Sequence, residues 1–155
     1  MARVYISYAH EDWDVAAALY ERLAHYGHDV FLDQHPGDGV RIGDAWEARL
    51  YECLGWADAM VCVVTVAYLS SLWSSAEIGV FRYKRGRLLP LNVESAVAHP
   101  LLSSVQSIDY AADPRRALEV LHRALWDIDA HSGPCRRRPA KRLHLRLHDA
   151  AQWER

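Results

Sequence analysis

Hydrophobic and polar positions along the chain follow two alternating periods. Near the amino terminus Val4, Tyr5 and Ile6 form a short β-branched and aromatic run that stops at Tyr8-Ala9-His10, which predicts a first strand over residues 3–7. The spacing then lengthens. Val15, Leu19, Leu23 and Tyr26 recur at three and four residues, behind an acidic first turn of Glu11, Asp12 and Asp14. That pattern predicts a helix capped by His10 or Asp12 and ended by Gly27. Residues 28–32 read as a second strand. Pro36, Gly37, Gly39 and Gly43, set among polar residues, make 33–43 a loop. Asp44 caps a second helix in which Trp46, Leu50, Cys53 and Leu54 share a face, ending near Gly55. Residues 59–66 are apolar without alternation, as in a strand buried on both faces of a parallel sheet.

Ser70 or Ser71 opens the next helix, which runs to about Tyr83 and ends at Gly86. Residues 88–93 predict a fourth strand, with Pro90 limiting its regular part. After a loop containing Pro100 come a short edge strand over 105–109 and a helix that starts at Asp113-Pro114 and carries Leu118, Leu121, Leu125 and Ile128. Strands alternating with helices require right-handed crossovers, and these produce a mostly parallel sheet with helices on both faces. The expected architecture is a flavodoxin-like, three-layer α/β fold with a five-stranded sheet. Ligands in such folds bind beyond the carboxyl ends of the strands, where the strand order reverses. The segments that reach that edge are Ser7-Tyr8, residues 33–43 and residues 65–77.

Composition limits the alternatives. The 155 residues, 51% hydrophobic and 25% charged, fit one core-bearing domain. No run reaches the roughly 20 apolar residues needed to span a bilayer, and the first residues turn polar too early for a signal peptide, so the expected location is cytoplasmic, with no membrane partner. Seven of the 18 Lys/Arg and two of the 20 Asp/Glu fall in residues 132–155, leaving 11 basic and 18 acidic residues on 1–131, a net of −7. An acidic body argues against nucleic-acid binding by the main domain. Past Gly133-Pro134 the hydrophobic pattern fades. The domain therefore ends near 131, and 132–155 forms a basic tail, flexible or partly helical. Cys53 and Cys62 read as small buried hydrophobes, Cys135 lies in the tail, and the nine histidines are scattered as solvated surface, so no metal site is expected.

Three of the strand-end segments carry chemistry together. Val4-Tyr5-Ile6-Ser7-Tyr8-Ala9-His10-Glu11-Asp12 resembles the F-I-S-Y-s-x-x-D opening of the TIR (Toll/interleukin receptor) family, and the Pro/Gly loop of 33–43 resembles that family's BB loop. Leu69-Ser70-Ser71-Leu72-Trp73-Ser74-Ser75-Ala76-Glu77 resembles its S-x-W-C-x-x-E segment, with Ser74 in place of the cysteine. The resemblance covers residues 3–131 in order. It implies, as in bacterial members that cleave NAD⁺, a catalytic glutamate at Glu77 and NAD⁺ as substrate rather than cofactor, with nicotinamide and ADP-ribose or cyclic ADP-ribose as products. Such members act in signalling or in bacterial immune NAD⁺ depletion, antiphage defence included. It equally admits a non-catalytic adaptor that works by TIR–TIR contacts and self-association through Pro36, Gly37, Asp38 and Gly39.

The residue types suit the implied reaction. Trp73 and Glu77 are four apart, so on a helix an indole and a carboxylate border one pocket. Nicotinamide departs as a neutral molecule and needs no general acid. The oxocarbenium-like transition state needs a nearby negative charge, as in glycoside hydrolysis, and the pyridinium can stack on an indole. Ser7 and Tyr8 can reach the substrate, although Tyr8 can equally cap the sheet, and Arg41 can meet the pyrophosphate. The chain lacks G-x-G-x-x-G, so a Rossmann grip on a redox cofactor is not supported. A phosphoacceptor receiver domain would need aspartates at strand ends, and residues 65–66 are Thr-Val.

Overall fold

Five parallel strands in the order β2-β1-β3-β4-β5 form the sheet: β1 (Arg3–Ser7), β2 (Asp29–Leu32), β3 (Ala59–Val64), β4 (Arg87–Asn92) and β5 (Ile108–Asp109). The computed structural model describes residues 1–32 and 44–131, without the side chains of 44–49. The expected loop 33–43, the tail 132–155 and the side chain of Trp46 therefore lie outside the described residues. Helices α1 (Trp13–His25), α2 (Asp44–Trp56), α3 (Val66–Ser70), α4 (Leu72–Tyr83) and α5 (Pro114–His131) connect and cover the strands. None of the described helices is long and apolar enough to cross a membrane.

The alternation of side chains along β1 sorts the core into two layers. Val4 and Ile6 face α1 and α5, where Leu19, Leu23, Leu121 and Leu125 are buried. Tyr5 faces the opposite way, toward α2, α3 and α4, in a layer with Phe31, Met60, Cys62, Ile78 and Phe81. All six residues of β3 are buried, as their unbroken apolar run requires. The flavodoxin-like, three-layer architecture is thus present.

Several boundaries depart from expectation for local reasons. Strand β3 stops at Val64, two residues early, because Thr65 Oγ1 accepts the Tyr68 N–H at 3.0 Å and opens the short helix α3. Ser71 then caps α4 through Ser74 N. Asp12 stands at the N-cap position of α1 but makes no cap hydrogen bond, and His10 belongs to the 3-10 turn His10–Asp12 before it. The Asp12 carboxylate instead accepts the Thr65 hydroxyl at 2.5 Å, tying the entry of α1 to the end of β3. Pro90 lies inside β4 rather than at its limit. It pairs with Cys62 of β3, whereas β5 pairs only with Leu91 and Asn92, so Pro90 has a strand neighbour on one side alone. The fifth strand shrinks to Ile108–Asp109. Gly27 ends α1 with φ +85°, whereas α4 ends where Arg85, not the expected glycine, takes the left-handed φ of +59°; Gly86 follows it, where a Cβ would stand 2.3 Å from the Phe81 ring.

Two of the histidines expected at the surface are buried. His28 Nε2 lies 3.0 Å from His122 Nδ1, and His99 Nδ1 accepts the Leu101 N–H that starts the 3-10 turn Pro100–Leu102. Burial, and for His28 also the neighbouring His122 and amino terminus, lowers the pKa of each below its ordinary 6.5. A lowered folded value means that the unfolded chain binds protons first. Stability contributed by the neutral rings is present above pH 6.5 and falls as pH drops through it, down to the folded values. Urea midpoints should therefore decrease between about pH 7.5 and about pH 5.5, and His28→Gln should flatten that slope. An unchanged slope would remove His28 from the account.

Candidate active site

The strand order reverses between β1 and β3, since the chain leaves β1 for β2 on one side and returns to β3 on the other. The carboxyl-end edge at that reversal lies at Ser7, which pairs in register with Cys62. On α4 the residues Ser74, Glu77, Ile78 and Phe81 form the buried stripe, at helical spacing, with Ile78 and Phe81 in the layer that holds Tyr5 and Cys62 and Glu77 reaching Ser7. The stripe includes one carboxylate, and Glu77 is only 9% exposed.

A buried carboxylate must be satisfied, and here hydroxyls do it. Tyr5 donates its phenol proton to Glu77 Oε1 at 2.8 Å, and Ser7 donates to Oε2 at 2.5 Å. Tyr5 and Ser7 are two apart on β1 and therefore face the same layer. Tyr68 of α3 places its hydroxyl 2.8 Å from Ser7 Oγ. Because the serine proton is already committed to Glu77, the tyrosine is the donor in that pair. Three hydroxyls thus align as Tyr68 to Ser7 to Glu77 and Tyr5 to Glu77, a pattern organised around an anionic acceptor. Burial raises the pKa of Tyr68 well above its ordinary value and pushes the Cys62 thiol up to about 12, so both stay protonated beside the carboxylate. Nearby, burial raises the Asp12 pKa, and Glu94 and Glu11 add to the shift.

The other sequence-derived candidates fall into three groups. Trp73 is half-buried on α4, one turn before Glu77 and beside the buried stripe. Tyr8 packs against Trp13, with ring centroids 5.9 Å apart, in the α1/α5 layer, so its ring is not brought together with Glu77. Arg41 and Pro36, Gly37, Asp38 and Gly39 lie outside the described residues. Ser7 is brought to Glu77, but as a hydrogen-bond donor to it. Tyr5, Tyr68, Thr65 and His99 were not read as site residues; for Tyr5 the available signal was its period-two relation to Ser7. His99 sits edge-on to Tyr68 at 5.7 Å, with Nε2 3.4 Å from Ser75 Oγ. A cavity of about 770 Å³ lies away from Glu77, along β4, β5 and α5, with Arg87, Leu89, Ile108 and Arg116 among its walls.

Ser74 is buried, and its hydroxyl has no hydrogen-bond partner among the described residues. The position therefore serves packing, and a thiol suits it better than an unsatisfied hydroxyl. Ser74→Cys should stabilise the domain by about 1 kcal/mol, seen as a rise of roughly 3 °C in the thermal midpoint. A lower midpoint would mean that the hydroxyl has a partner after all.

Comparison with known proteins agrees with the fold. The TIR domain of the Toll-related receptor TRR-2 from Hydra magnipapillata is similar in structure, with a TM-score of 0.64 and 18% identity over 83% of this chain and 99% of that one. The TIR domains in the activated Roq1 resistosome directly recognizing the pathogen effector XopQ match with a TM-score of 0.48 and 20% identity, covering 86% of each chain. No curated protein matches the chain. The family model described as TIR domain matches residues 4–125, from the start of β1 to the last turns of α5, and the chain therefore belongs to the TIR domain family.

Proposed function

We propose that this TIR domain is an NAD⁺ glycohydrolase or cyclase with Glu77 as its catalytic carboxylate. The observation that carries the reading is a buried carboxylate beside the strand-order reversal with two hydroxyl protons aimed at it. In the reaction the bond between C1′ of the ribose and the pyridinium nitrogen breaks, and its electron pair leaves with neutral nicotinamide. The positive charge that develops on the ribose ring is stabilised by the Glu77 carboxylate. Water then adds to C1′ and loses a proton to give ADP-ribose, or an adenine nitrogen adds there to give a cyclic product. Trp73 stacks on the pyridinium, Arg41 meets the pyrophosphate, and self-association or contact with other TIR domains completes the site. The biological setting that fits is signalling or immune NAD⁺ depletion inside the cell.

A second reading is favoured by the 9% exposure of Glu77: the carboxylate is a structural anchor, and the domain is a non-catalytic adaptor. Incubation of concentrated protein with NAD⁺, scored for nicotinamide beside Glu77→Ala, separates the two. The catalytic reading expects release that rises more steeply than protein concentration and disappears in Glu77→Ala. Release that survives Glu77→Ala would sink the assignment, and no release at high concentration would favour the adaptor.

A further inference from the structure

We propose that Tyr5 is a positioning residue, whose phenol hydroxyl holds and orients the Glu77 carboxylate for NAD⁺ cleavage; the assignment deepens, and rests on, the reaction proposed above.

Packing and hydrogen bonding at Tyr5 are separable. The ring is 1% exposed and stacks on Phe31 with centroids 5.7 Å apart and planes 14° from parallel, contacts that a phenylalanine would keep. The hydroxyl adds a 2.8 Å hydrogen bond to Glu77 Oε1. Ser7 holds Oε2, so each carboxylate oxygen has its own donor and the plane of the group is fixed between β1 and α4. Donors to the ionised form favour that form, which is the one a developing cation requires. Tyr5 touches Glu77 rather than substrate and so acts through it.

The test is Tyr5→Phe, which removes the hydroxyl and keeps the ring stack. Nicotinamide release should show kcat lowered about tenfold with KM for NAD⁺ nearly unchanged, and an acid limb of the pH–rate profile moved up by about one unit, the size of one charge-assisted hydrogen bond. The Glu77 carboxyl carbon, assigned by its loss in Glu77→Gln and followed by NMR titration, should move up in pH by a similar amount. That measurement does not need turnover. If the wild type releases no nicotinamide, the glycohydrolase reading falls while the titration still decides whether Tyr5 holds the carboxylate. An unchanged titration overturns the inference, as does an increase in kcat, which would make Tyr5 a latch on Glu77 rather than its support.

Discussion

Glu77→Gln is expected to lower nicotinamide release by about a thousandfold or more while the domain still folds. The magnitude follows from what the substitution removes. Gln keeps the volume and one acceptor oxygen but carries no negative charge, and charge is the quantity that the ribose cation draws on as the pyridinium bond breaks. The structural cost is smaller and has a different origin. The carboxamide NH₂ replaces one acceptor and so faces a donor, either Tyr5 or Ser7, whose hydroxyl must rotate away. Ser7 can then accept from the amide, but its hydrogen bond with Tyr68 must rearrange. A loss of about 1–2 kcal/mol in unfolding free energy is the expected scale. Chromatographic quantification of nicotinamide beside circular dichroism separates the two effects. A Gln variant that keeps activity within about tenfold of wild type would show that the charge is not used in the reaction.

The layout around Glu77 was legible in the sequence wherever periodicity or punctuation carried it. The apolar run Met60-Val61-Cys62-Val63-Val64 suits a strand covered on both faces, and Gly27 stops α1 where an L-residue would be strained, whereas α4 ends just before Arg85, which takes φ +59° without being glycine. What failed was the end of β3. Thr65 and Val66 are β-branched and extend the strand pattern, but the threonine hydroxyl captures Tyr68 N and turns the chain into α3. Local hydrogen bonding of this kind competes with strand pairing and leaves no trace in hydrophobicity. Missing α3 also meant missing Tyr68. Its place beside Ser7, 61 residues away in sequence, depends on that extra turn of helix and on the β1–β3 register.

Ser7 illustrates the other limit. Its position at the carboxyl end of β1 was readable, and so was Glu77 on a later helix. The choice between a hydroxyl that meets substrate and one that meets Glu77 depends on how deeply α4 sits against the sheet. That depth is set by tertiary packing of Ile78 and Phe81 into the layer that holds Tyr5, Met60 and Cys62. Short-range patterns carry no information about it. The same packing explains the burial of Ser74, which stands where the resembled motif has cysteine.

At the opposite end of the sheet, Asp58→Ala is expected to destabilise the domain by about 3 kcal/mol or more, because it removes the connection between the starts of β1 and β3. Asp58 Oδ2 accepts the Arg3 backbone N–H at 3.0 Å and Arg3 Nε at 2.8 Å, Oδ1 accepts Arg3 Nη2, and the Asp58 N–H donates to the Arg3 carbonyl at 2.8 Å. Both side chains are largely buried, at 13% and 12% exposure, so truncating the acid leaves a guanidinium in a poorly solvated site. Lys84 reinforces the corner by donating to the Leu54 and Ala57 carbonyls at the end of α2. Burial raises the Asp58 pKa, but the hydrogen bonds and charge of Arg3, with Lys84 behind them, outweigh it and leave the carboxyl below its ordinary 3.8. A depressed folded value contributes stability that is present above pH 3.8 and is lost as pH falls through the folded pKa. The wild type should thus lose this increment only in acid, whereas the Ala variant should lack it at neutral pH. Asp58→Asn keeps one acceptor for Arg3 and should fall between them. Urea unfolding at neutral pH gives the ranking, and an Ala variant within about 0.5 kcal/mol of wild type would show that the strands are held by their ladder alone.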